Sequence, residues 1–181
     1  MSIISLWMPI LVSAVLVWIV SAVVWMVLGW HKNDYAKTRD EEAARAALRG
    51  MSPGSYQIPY CPSHKDMAKP EMQKKMQEGP IAFLTIMPSG LPKMGGTLGL
   101  WFAYNILVGV LCAYMVSRTV TADATYLQVF RIAGTTAFAA YGFAYIQESI
   151  WFGRPYSVTA KNLMDALLYA LFTGGAFGWL S

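Results

Sequence analysis

The stretch IISLWMPILVSAVLVWIVSAVVWMVLGW, from Ile3 to Trp30, contains no charged residue in 28 positions. About 20 such residues suffice to cross the hydrocarbon core of a bilayer as an α-helix. A cleaved signal peptide needs a basic start, a short apolar core and a small-residue cleavage site. This stretch has no Lys or Arg before Lys32 and is longer than such a core, so it reads as a retained membrane helix. Pro9 falls in its first turns, where a missing N–H matters least.

Three further apolar stretches follow, at about 96–117, 126–150 and 162–180. They are separated by turn material at Pro88–Pro92, Thr121–Asp123 and Phe152–Pro155. The expected fold is therefore an all-α bundle of four membrane helices, with the 31–95 segment inserted between the first and second. Trp7, Trp30, Trp101, Trp151 and Trp179 lie near the expected helix ends, as an interfacial aromatic belt places them. Trp18 and Trp25 are seven residues apart on one helix face, directed at lipid or a protein neighbour.

Charge is segregated in the same way. Only 13% of the 181 residues are charged, about half the usual fraction, and ten of the fourteen Lys and Arg residues lie between His31 and Lys93. The net charge of +4 thus points to lipid headgroups and membrane orientation, not to nucleic acid. Arg154 and Lys161 share the side of the segment, while Arg118 and Arg131 lie on the other. Positive-inside reasoning puts the 31–95 segment in the cytoplasm and both termini in the periplasm.

The segment has the signals of ordered structure. Thr38-Arg-Asp-Glu41 fits a capping box before an alanine-rich helix that ends at Gly50. Pro70 opens a second helix, Glu71 lies in its first turn, and Gly79-Pro80 stops it. Ser55–Tyr60 and Ile81–Met87 read as extended, giving a small αβαβ cap.

Met26-Val-Leu-Gly-Trp-His-Lys-Asn-Asp-Tyr35, Lys65-Asp-Met67, Pro70-Glu-Met72, Gly79-Pro80 and Pro88-Ser-Gly-Leu-Pro-Lys-Met-Gly95 together resemble a family of small, uncharacterised bacterial inner-membrane proteins. The resemblance covers most of the chain. It implies a bacterial inner-membrane location and no catalytic residues.

Three groups of residues carry candidate chemistry. Cys61-Pro-Ser-His64-Lys-Asp-Met67, with Met72 and Met76 four residues apart on the next helix, offers donors suited to copper or zinc. Yet one C-x-x-H supplies two ligands, and methionines at helical spacing fill apolar gaps more often, so no cofactor is expected. His31 either joins that set or sits just past a membrane helix as an interfacial residue. Cys112 lies in an apolar stretch, at a different depth from Cys61, and no disulfide framework exists.

Arg131, Glu148 and Asp165 are the ionisable residues of the membrane helices, where transport function is looked for first. Arg131 and Glu148 lie about 25 Å apart along one helix. Local partners are available: Asp123 or the Ser181 carboxylate for Arg131; Arg154, Lys161 or Lys32 for the two acids. The competing reading is an ion or proton path through Gln147, Glu148, Asp165 and Tyr169.

Small residues form the third group. Ala166, Ala170, Gly174 and Gly178 recur every four residues, and Gly95, Gly99 and Ala103, then Gly109 and Ala113, form a similar row. Such rows let helices approach closely, inside the bundle or against another subunit.

No phosphate loop, H-E-x-x-H zinc motif or nucleophile elbow is present, and two histidines at the segment cannot ligate an intramembrane haem. The expected role is a non-catalytic accessory or scaffold subunit, packed against another membrane protein or itself. A small transporter or metal-handling protein is the alternative, and a lipid- or quinone-linked enzyme comes third.

Overall fold

The computed structural model describes residues 2–121 and 123–181. Two compact units emerge, one of residues 1–35 with 93–181 and one of residues 36–92.

The first unit is a bundle of long helices. A 3₁₀ turn, Ile4–Leu6, leads into α1 (Trp7–Val23), which continues through a π-helical turn, Val24–Leu28. Three more helices complete the unit, α5 (Met94–Thr119), α6 (Tyr126–Phe152) and α7 (Tyr156–Leu180). Three stretches are long and apolar enough to cross a membrane: Ile4–Leu28, Met94–Thr119 and Tyr156–Leu180. α6 is as long, but Gln128, Arg131, Gln147, Glu148 and its tyrosines dilute its apolar character. Each helix packs on two others, α1 on α5 and α7, and α6 on α5 and α7. The chain leaves the bundle at Tyr35 and returns at Lys93, which defines a segment end, opposite the end that carries both termini.

The ends of these helices are set by local chemistry. Thr125 and Gln128 form a capping box at the start of α6, and Gly153 closes it in the left-handed region at φ 68°. The turn expected at 121–123 includes Ala122, which lies outside the described residues. α7 begins six residues before the apolar stretch, because Pro155 sets the first turn and Ser157, Thr159 and Lys161 are helical despite their polarity.

Small residues hold the helices together. A Cβ added at Gly174 would stand 2.9 Å from the Phe130 carbonyl oxygen, and one at Gly178 2.7 Å from the Tyr126 ring. Ala166 lies against Gly142 in the same way, and Gly109 against Ile10. The α7 row is thus consumed by α6 within the chain. The α5 row divides: Gly109 and Ala113 are buried, whereas Gly95 and Gly99 face open space and Ala103 is exposed. Trp18 meets its own chain, donating to the Leu98 carbonyl at 3.3 Å.

The second unit contains α2 (Glu41–Leu48), β1 (Gly54–Ile58), the short α3 (His64–Met67), α4 (Pro70–Glu78) and β2 (Ala82–Ile86). The strands pair antiparallel, with Gly54 opposite Ile86 and Ile58 opposite Ala82. Pro70 opens α4 and Gly79 closes it at φ 63°. The α2 cap differs from expectation. Asp40, not Thr38, is the capping residue, and its Oδ1 accepts from the Ala43 amide at 2.9 Å. An aspartate one residue before the first helical turn reaches the free donors that Thr38, two residues farther out, does not.

Candidate functional site: a histidine between two buried carboxylates

The site begins with a change of direction at the end of the first helix. After the π-helical turn, Gly29 adopts φ 64°, and Trp30–Asn33 form a 3₁₀ turn. A residue with a side chain resists that left-handed conformation. The reversal buries His31 in the bundle, where it is 7% exposed.

Both ring nitrogens of His31 meet carboxylates. Nδ1 lies 2.6 Å from Asp34 Oδ2, and Nε2 lies 2.9 Å from Asp165 Oδ2. Asp34 comes from the same turn and Asp165 from the third turn of α7, and the side chains of both are 5% exposed or less. Lys161, one turn before Asp165, donates to Asp34 Oδ1 at 2.6 Å. The Trp25 ring stacks on His31 with centroids 4.1 Å apart.

A neutral imidazole has one N–H donor and one bare acceptor nitrogen. It cannot satisfy two ionised carboxylates, because the bare nitrogen would face an oxygen lone pair. The arrangement therefore holds one additional proton, either on the ring or on one carboxyl group. Asp34 lies outside the membrane-crossing stretches. Burial works against its charge, but the hydrogen bonds from Lys161 and His31 prevail and hold its carboxyl below the usual range. Lys161 gives Asp34 a cationic partner besides His31, whereas Asp165 has no ion pair beyond its contact with His31 among the described residues.

Polarity continues inward from there. Asn162, Asp165, Tyr169 and Thr173 share a buried face of α7. Tyr169 packs against Trp101 and Tyr141, with centroids at 6.0 and 5.5 Å, and the Tyr141 hydroxyl donates to Asn105 Oδ1 at 3.1 Å. The Trp101 indole donates to Ser21 Oγ at 2.9 Å. Five buried polar atoms here have no hydrogen-bond partner among the described residues: Trp30 Nε1, Asn105 Nδ2, Asn162 Nδ2, Asp165 Oδ1 and Thr173 Oγ1. Leaving one such atom unpaired costs about 1–3 kcal/mol. The Trp30 indole approaches Asp165 without reaching hydrogen-bond geometry.

The candidate residues fare unequally. Asp165 is central, but its partner is His31 and not Arg154, Lys161 or Lys32. Glu148 pairs with Arg154 at 2.7 Å, one of the partners open to it. Gln147 is exposed and Glu148 half-exposed, so of the anticipated path only Asp165 and Tyr169 face the interior. Arg131 has neither of its anticipated partners: it is exposed, forms no ion pair among the described residues, and lines a cavity of about 310 Å³ with Thr119, Thr121 and Gln128.

Cys61 and Cys112 are free thiols, half-buried and buried respectively. Cys61 Sγ donates to the Ser63 carbonyl, while His64 and Met67 are exposed. Met72 and Met76 are the half-buried residues of α4, as gap-filling methionines would be. Among the described residues no group of three or more His, Cys, Asp or Glu is arranged to hold a metal ion.

The sequence leaves His31 open between the Cys61–His64 set and an interfacial position, and does not single out Asp34. The available signal was local: a histidine and an aspartate three residues apart, directly behind a glycine that ends a long apolar helix.

No family model, no curated protein and no solved structure matches the chain.

Proposed function

We propose that this chain is a proton-handling protein of a bacterial inner membrane, acting as a small proton-coupled transporter. In this reading α6 crosses the bilayer with the other three long helices, residues 31–95 face the cytoplasm, and both termini are periplasmic. The observation that carries it is the burial of His31 with each ring nitrogen on a different buried carboxylate. An ionisable group is expensive to keep among membrane helices, and those that persist serve ion or proton pathways. A purely structural tie between α1 and α7 would need one polar contact. This arrangement adds a titratable pair, a second carboxylate and a lysine that fixes the charge of that carboxylate.

The test uses purified protein in sealed vesicles under an imposed potential, with an internal pH dye. Proton flux is expected in the wild type and is expected to be lost in Asp165→Asn, with the amount of folded, monodisperse protein unchanged. Equal flux from the two proteins would reject the reading.

A passive accessory subunit is the second reading. The open Gly95–Gly99 face of α5 favours it, since a neighbouring helix could approach there closely. It predicts stoichiometric foreign subunits after extraction in mild detergent and no Asp165-dependent flux. Copper or zinc handling through Cys61, His64 and the segment methionines draws no support from their placement.

A further inference from the structure

We infer that the segment-end half of the bundle interior is a water-lined half-channel for protons. It runs from the His31–Asp165 pair along Asn162, Tyr169 and Thr173 to Asn105, and closes at the terminal end. This inference rests on the proton-handling reading and adds the route and its direction.

Two observations carry it. The first is where the polar atoms are. Asn162, Asp165, Tyr169 and Thr173 follow one another at intervals of three or four residues on α7, so they form one continuous stripe. Asn105 joins through Tyr141, whose ring packs against Tyr169. Side chains on this route leave four buried atoms unpaired, on Asn105, Asn162, Asp165 and Thr173. Two are donors, one is an acceptor and the hydroxyl can be either, the mixture that a chain of waters satisfies. The aromatic rings of Trp101, Tyr141 and Tyr169 wall the same region.

The second observation is where polarity stops. At the terminal end the buried residues are mostly apolar or glycine, among them Leu6, Val116, Val129 and Phe177, each 2% exposed or less, and the buried Ser13 hydroxyl of α1 is already paired with the Ile10 carbonyl of its own helix. Asn162 to Thr173 spans about 16 Å of helix axis, roughly half of a 30 Å hydrocarbon core. Water bridging the stripe thus connects to the segment side and meets a dry plug beyond Thr173.

The experiment places single cysteines in a Cys61→Ser, Cys112→Ala background: Thr173→Cys and Asn105→Cys on the route, and Val116→Cys in the plug. Silver ion, small enough to follow water, is applied from one side of sealed vesicles in nitrate buffer. Blocked thiols are counted by maleimide labelling after denaturation, and sidedness is set by labelling native Cys61 in parallel. Silver from the segment side is expected to block Thr173→Cys and Asn105→Cys roughly tenfold or more faster than from the terminal side. Val116→Cys should react slowly from both. Two route cysteines as slow as Val116→Cys from either side would overturn the half-channel. That result beside intact Asp165-dependent flux would leave the proton-handling reading standing. Fast one-sided blocking with no Asp165-dependent flux would overturn proton handling and keep the hydrated half.

Discussion

His31 Nε2 and Asp165 Oδ2 stand 2.9 Å apart across 134 residues of chain, tying the end of the first membrane helix to the interior of the last. Removing one partner of a buried ion pair strands the other, which costs about 3–5 kcal/mol. His31→Leu and Asp165→Leu should each destabilise the protein by that order, and the double variant should cost clearly less than their sum. A double-mutant cycle on unfolding free energies in mixed micelles measures the coupling. Additive losses would mean that the two groups do not interact.

Asp34 gives the pairing a pH signature. Its folded pKa is lowered, so its contribution is present above the ordinary carboxylate range and is lost as pH falls through the lowered value. Wild-type thermal stability should therefore drop on acidification below about pH 4. Asp34→Asn should be less stable at neutral pH and flatter in that acid window. Parallel curves for the two proteins would refute the assignment.

Packing makes a separate prediction. Gly174→Ala drives a methyl toward the Phe130 backbone oxygen, and overpacking of this kind costs about 1–3 kcal/mol. Gly99→Ala meets nothing within 4 Å and should leave stability unchanged or slightly raised. Thermal midpoints of the two variants in one detergent decide it.

Much of the bundle is legible in the sequence, because charge-free stretches and turn residues mark helix ends directly. The start of α7 is less so. Hydropathy registers apolar side chains, whereas Pro155 begins the helix by its geometry, before the side chains become apolar. The cap of α2 shows a similar limit: Thr38 and Glu41 have the right spacing for a capping box, yet Asp40 occupies the position from which the first free donors are reached. Asp165 was identifiable as an acid in an apolar helix, and Glu148 found one of its local candidates in Arg154. His31 was not assigned because its role depends on where a glycine turns the chain and on a partner 134 residues away. Local pattern does not encode that distance. The α7 glycine row was readable as a packing surface, but which helix fills it is settled only by three-dimensional contact.

The π-helical turn at Val24–Leu28 means that the first helix carries one residue more than regular α-geometry would accommodate, immediately before the site. A regular turn holds about 3.6 residues, and a turn widened by one residue takes up the surplus while the helix before it keeps its face. Deleting Val27, which is 72% exposed, should therefore close the turn to regular geometry and leave His31 beside Asp165. The first helix stores its slack next to the imidazole, where the chain can change length without losing the contact.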